Sequence, residues 1–92
     1  MQEDLLIESI LSTGLYVIPE SQKQFNEVVE ILENYGLDSF FIDSYHKDIL
    51  IYIYTDGTFT TLEHNDELLN SFGFCSANDF IQANEKLLSI NT

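Results

Sequence analysis

Arginine is missing from this chain, and only Lys23, Lys47 and Lys86 carry positive charge. A protein that grips nucleic acid neutralises phosphates with Lys and Arg, so direct nucleic-acid binding is excluded as a function class. Cysteine is almost missing too. Cys75 is the sole one, no internal disulfide can form, and a reducing compartment is implied. No apolar run approaches the roughly 20 residues that cross a bilayer. The opening MQEDLLIESILSTG is acidic where a secretory signal starts positive, and Glu8 and Ser9 break its apolar stretch. A cytoplasmic location without membrane contact is expected. The chain also lacks an HExxH pair, an EF-hand loop, a glycine-rich phosphate cradle and a nucleophile elbow. A non-enzymatic protein with no cofactor is therefore expected.

What is present is acid and apolar bulk. The 92 residues suit a single domain over 1–92, and at 45% hydrophobic and 13% aromatic they can bury a core. Sixteen acidic residues against three lysines give a net charge of −13. The excess arises more from missing basic residues than from surplus acid. A field of this sign repels nucleic acid and anionic membranes, and it steers association with a basic protein.

The apolar spacing predicts α+β organisation: two N-terminal helices, a three-stranded antiparallel β-meander, and two C-terminal helices. The first helix is expected over Glu3–Ser12, with Leu5, Leu6, Ile10 and Leu11 inward. GLYVIPE follows as an extended connection. The second helix runs from about Glu20 to Tyr35, with Phe25, Val28, Val29, Leu32 and Tyr35 on one face and Gly36 as its C-terminal cap. Strands are expected over Ser39–Tyr45, Asp48–Thr55 and Thr58–Leu62, joined by turns at His46-Lys47 and Asp56-Gly57. Asp-Gly between alternating runs predicts a two-residue type I′ hairpin. That register sets Phe40, Ile42, Ile49, Ile51, Ile53 and Leu62 on the core face. Phe41, Asp43, Leu50, Tyr52, Tyr54, Phe59 and Thr61 fall on the other. A short helix capped by Asn65 carries Leu68, Leu69 and Phe72 and closes at Gly73. Ser76 with Asp79 opens the last helix, which carries Phe80, Ile81, Leu87 and Leu88 inward.

Candidate chemistry is sparse. His64, Asp66 and Glu67 are near neighbours at a helix start, point in different directions, and are explained by the helix dipole without a metal. Cys75 with His46 or His64 is a set that almost any domain offers, and its apolar surroundings favour burial over activation. ELLNSFGFCSANDFIQANEKLL, residues 67–88, weakly resembles the helix-hairpin-helix DNA modules. Its single Gly73 and single Lys86 do not supply the amide-rich, basic hairpin that pattern uses.

Two surfaces remain as candidates for contact with a partner. One is acidic: Glu20, Glu27 and Glu30 on the long helix, Asp43 beside the strands, and Glu63, Asp66 and Glu67 after them. The other is aromatic, with Tyr52, Tyr54 and Phe59 on the outer sheet face, since Tyr is favoured at interfaces. In size and charge the chain resembles, as a class, phage-encoded nucleic-acid mimics (anti-CRISPR and anti-restriction inhibitors) and bacterial toxin-immunity proteins. This likeness is one of composition and transfers no residue roles. The resemblance implies an inhibitor or neutraliser, monomeric or homodimeric, docking on the basic surface of a nucleic-acid-handling protein. The alternative expectation is a housekeeping interaction module that assembles through its aromatic sheet face.

Overall fold

The computed structural model describes residues 6–63 and 73–88. Its elements are α1 (Ile7–Ile10), β1 (Leu15–Ile18), α2 (Gln22–Tyr35), β2 (Asp38–Phe41), β3 (Ile49–Ile53), β4 (Thr58–Glu63), β5 (Phe74–Ser76) and α3 (Ala77–Ala83), followed by a 3₁₀ turn at Glu85–Leu87. The strands form one five-stranded mixed sheet in the order β2-β4-β3-β1-β5. The expected three-stranded antiparallel meander is thus overturned, although the α+β class stands. The β1–β3 and β3–β4 pairs are antiparallel, whereas β1–β5 and β2–β4 are parallel.

Two errors of reading produced the smaller sheet. LYVI and FCS are four- and three-residue strands, too short to alternate visibly between their flanking signals. The second error is topological. No hairpin forms at His46-Lys47; β4 inserts between β2 and β3 instead. Residues 42–48 are long enough to span two strand spacings of about 4.8 Å each. Local bonds shape that span: Asp43 N–H donates to Thr61 Oγ1 at 2.9 Å, and Ile49 N–H to the His46 carbonyl at 3.0 Å.

At Asp56-Gly57 a hairpin does form, but with one more residue in its loop. The register pairs Ile53 with Phe59, Tyr52 with Thr60, and Ile51 with Thr61. Tyr54 N–H donates to the Thr58 carbonyl at 2.9 Å, so Thr55-Asp56-Gly57 is a three-residue loop. A type I′ turn needs positive φ at both central residues; Gly57 has φ +89°, but Asp56 is not positive. The Asp56 carboxylate instead accepts from Thr58 N–H at 3.1 Å and from the Thr58 hydroxyl at 2.6 Å, an Asx turn that holds the aspartate in ordinary backbone. One residue of slip moves every β4 side chain to the opposite face. Phe59 and Thr61 therefore join Ile51 and Ile53, while Thr60 and Leu62 join Leu50 and Tyr52.

The helices behave closer to expectation. Ser21 caps α2 by accepting from Gln24 N–H at 3.2 Å. Gly36, at φ +108°, ends it, with Leu37 N–H donating to the Leu32 carbonyl at 3.0 Å in a Schellman-type closure. Ser76 caps α3 through Asp79 N–H at 3.2 Å. The core packs Ile7 and Ile10 of α1, Phe25, Val28, Ile31 and Leu32 of α2, and Ala77 and Phe80 of α3 against Val17, Ile49, Ile51, Ile53, Phe59 and Cys75. Leu6 and Tyr35, expected inward, are exposed; Leu11 and Val29 are half-buried against the core. Asn84 is buried where the C-terminal segment meets α1: its side-chain carbonyl accepts from Ile7 N–H at 3.3 Å, and its amide donates to the Phe80 carbonyl at 2.9 Å. Leu5, and the helix expected from Asn65 to Phe72 apart from its closing Gly73, lie outside the described residues.

Candidate protein-docking surfaces

All the described helices pack on one face of the sheet. The strand registers align a single transverse row on the other: Phe41, Thr60, Tyr52, Tyr16 and Phe74, one residue from each strand. Its centre is tightly packed. The Tyr16 and Tyr52 ring centroids stand 4.5 Å apart, and Tyr54 meets Tyr52 edge-on at 4.5 Å, arrangements aromatic pairs favour. Tyr16 and Thr60 are buried and Tyr52 and Tyr54 half-buried, yet the two ends, Phe41 and Phe74, are exposed. The layer is therefore neither a bare platform nor a second sealed core. Gly14 is a condition for it: at φ +80°, a Cβ there would sit 2.9 Å from the Tyr52 hydroxyl oxygen.

Burial raises the Tyr16 phenol above its ordinary pKa of 10.0, and the neighbouring Tyr52 and Tyr54 phenolates would raise it further. A raised folded-state value makes ionisation harder in the native protein than in the unfolded chain. The stability linked to Tyr16 is therefore intact below pH 10 and is lost as pH climbs from there through the folded value. Urea midpoints measured from neutral to strongly alkaline pH should fall above pH 10, and Tyr16→Phe should flatten that fall. An equal fall in the variant would assign it to other groups.

Phe59 is a correction. Placed by sequence on the aromatic contact face, it is fully buried in the helix-side core, because of the three-residue loop. Phe40 is the converse: expected in the core, it is 80% exposed at the bulge between Ser39 and Phe41 on edge strand β2. Leu62, also expected in the core, lies half-buried on the tyrosine face.

The predicted acidic residues fall into separate groups. Glu27, half-buried, and Glu30, exposed, stand three apart on α2, and Glu33 continues the series on the same outward side. Glu20 lies beyond the N-cap at the far end of that helix, its N–H donating to Gln24 Oε1 at 2.9 Å. Asp43 is tied by its N–H to Thr61 of β4, and Glu63 follows two residues later at the end of that strand. Asp66 and Glu67, like His64, lie outside the described residues. Sequence reasoning passed over Phe74, exposed on β5, whereas Asp38 is exposed at the start of β2, as an acid at a strand end should be. Two adjacent phenylalanines in a strand cannot share one face, so DSFF already signalled that one of them points away from the core.

Among the described residues, no three His, Cys, Asp or Glu side chains are grouped to hold a metal. Cys75 is buried in the core, and His46 Nδ1 accepts from Asp48 N–H within its own turn. An apolar hollow of about 220 Å³ opens between α1, the end of α2 and the C-terminal segment, bordered by Leu6, Tyr35 and Leu87 with Lys86 at its margin. Among the described residues no helix is long and apolar enough to cross a membrane. No protein-family model, curated protein or solved structure matches the chain.

Proposed function

We propose that the protein is a non-enzymatic acidic binding domain. It docks on the basic surface of a nucleic-acid-handling protein and inhibits or neutralises it, with carboxylates standing in for phosphates. The observation that carries this reading is the outward side of α2. Glu27, Glu30 and Glu33 follow one another at three-residue spacing into the last turns of a 14-residue helix whose final turn has no basic residue. That end of a helix carries the negative pole of the dipole, where carboxylates are unfavourable and Lys or Arg favourable. Dissolution alone requires acids somewhere on the surface; it does not require one in the last turn, where Glu33 weakens the helix. A partner's Arg and Lys supply what the chain itself withholds.

The test is capture of lysate proteins on the immobilised domain, eluted with rising salt. The screening length falls from about 10 Å at 0.1 M to about 3 Å at 1 M. A basic, nucleic-acid-handling protein should be retained at low salt, leave the column as salt rises, and lose its own nucleic-acid binding while bound. Retention that persists at the highest salt would instead support assembly through the aromatic sheet face, the second reading, which the exposed Phe41 and Phe74 favour.

A further inference from the structure

We infer that edge strand β2 is a strand-addition site for an extended segment of a basic partner, one with an apolar centre and Lys or Arg at both ends. The inference rests on the reading above for the sign of the partner's charge, but a different part of the molecule carries it. β2 is the outer strand beyond β4, and all four of its residues are exposed. Asp38 N–H points inward to the Gly57 carbonyl at 3.2 Å, so by strand alternation the N–H and C=O of Ser39 point out from the sheet. Edge strands in monomeric proteins are normally blunted by lysine, proline or cover. This one carries Phe40, 80% exposed, and Phe41, 58% exposed. Its bulge stops at Phe40 and leaves the strand's start open.

The charges select the occupant. Asp38 and Asp43 bracket the two phenylalanines, with Asp56 beside the first through Thr58 and Glu63 beyond the second. A second copy of this chain fits poorly. Two-fold antiparallel pairing about Phe40 and Phe41 would set Asp38 of each copy opposite Asp43 of the other, and like charges directly opposite destabilise a pair. An added strand with cations at its ends places them on the same aspartates, while its main chain completes the ladder and its apolar centre covers the phenylalanines.

The probe is a fluorescein-labelled peptide with lysines at both ends of a valine–threonine core. Two controls accompany it, one with glutamate in place of lysine and one N-methylated at alternate amides. Binding is read by fluorescence anisotropy and by amide chemical shifts of the whole chain. The lysine peptide should bind one per chain, shift the amides of residues 38–43, and weaken with salt. The glutamate peptide should not bind. N-methylation of the peptide, or Ser39→Pro in the protein, should weaken binding roughly tenfold or more, the scale of one lost hydrogen bond. Proline at an edge position leaves the inner ladder intact, and the N-methylated peptide gives the same readout on the unaltered protein.

Equal binding of the methylated peptide, or shifts confined to α2, would overturn the site. So would sedimentation as a dimer that Ser39→Pro dissociates, which would make a second copy the occupant. If peptide binding fails at β2 while a basic protein is still captured through α2, only the strand-addition inference falls. If the peptide binds at β2 while no basic protein is captured at all, the inhibitor reading falls instead.

Discussion

Phe59→Ala should destabilise the domain by about 3–5 kcal/mol, the usual range for emptying a phenylalanine site in a packed core. Phe40→Ala should change stability by no more than about 0.5 kcal/mol, as surface substitutions do. The contrast follows from position alone. Phe59 is wholly buried opposite Ile53, under the helices, whereas Phe40 stands 80% exposed on the edge strand. Against a total of about 5–15 kcal/mol for a native domain, the first loss takes a large share of the stability, and the alanine protein should unfold at a much lower urea midpoint. The pair of substitutions also discriminates between hairpin registers. A two-residue loop at Asp56-Gly57 would turn Phe59 out of the core and make its truncation no costlier than that of Phe40, equalising or reversing the two midpoints. That reversal, or two equal midpoints, would refute the three-residue loop.

The same loop marks where the sequence stopped being legible. Helix α2 could be read to within two residues, because its apolar spacing and Gly36 agree on one answer. Ser76 and Asp79 likewise announced α3. Each of these signals is local, acting over three or four residues. Register and strand order are not local. Asp-Gly suits both a type I′ turn and a three-residue loop ending in a left-handed glycine, and what separates them here is the Asp56 carboxylate bonded to Thr58. The insertion of β4 between β2 and β3 had no signature within either strand. Tyr16 was in plain view inside GLYVIPE, but its partners Tyr52 and Phe74 come from strands far away in sequence. Of the candidate site, residue types were readable and neighbourhoods were not. The acids and tyrosines could be picked out by type, while the separation of the described acids into α2, the Asp43 and Glu63 region and the β2 edge depended on the topology.

Replacing Glu30 and Glu33 together by lysine should make the protein more stable and abolish its binding to a basic partner. Both are exposed on the C-terminal half of α2, three residues apart, with no basic residue in the last turn. A cation in the last turn gains about 0.3–1 kcal/mol, and turning the repulsive Glu27–Glu30 pair into an attractive one adds about 0.2–0.5 kcal/mol, while positions 30 and 33 still carry like charges. Each reversal also moves the net charge of −13 towards zero, which relieves self-repulsion. For a domain of this size these gains should raise Tm by about 3–8 °C. Binding moves the opposite way. Losing one partner of a desolvated interfacial charge pair costs about 2–5 kcal/mol, so two reversals should weaken the complex by at least about 100-fold. Calorimetry of the free protein and titration of the captured partner measure the two effects separately. Opposite signs are what a functional surface held at the expense of stability looks like. A higher Tm with undiminished binding would show that α2 carries its carboxylates for dissolution alone, and would remove the acidic helix from the docking surface.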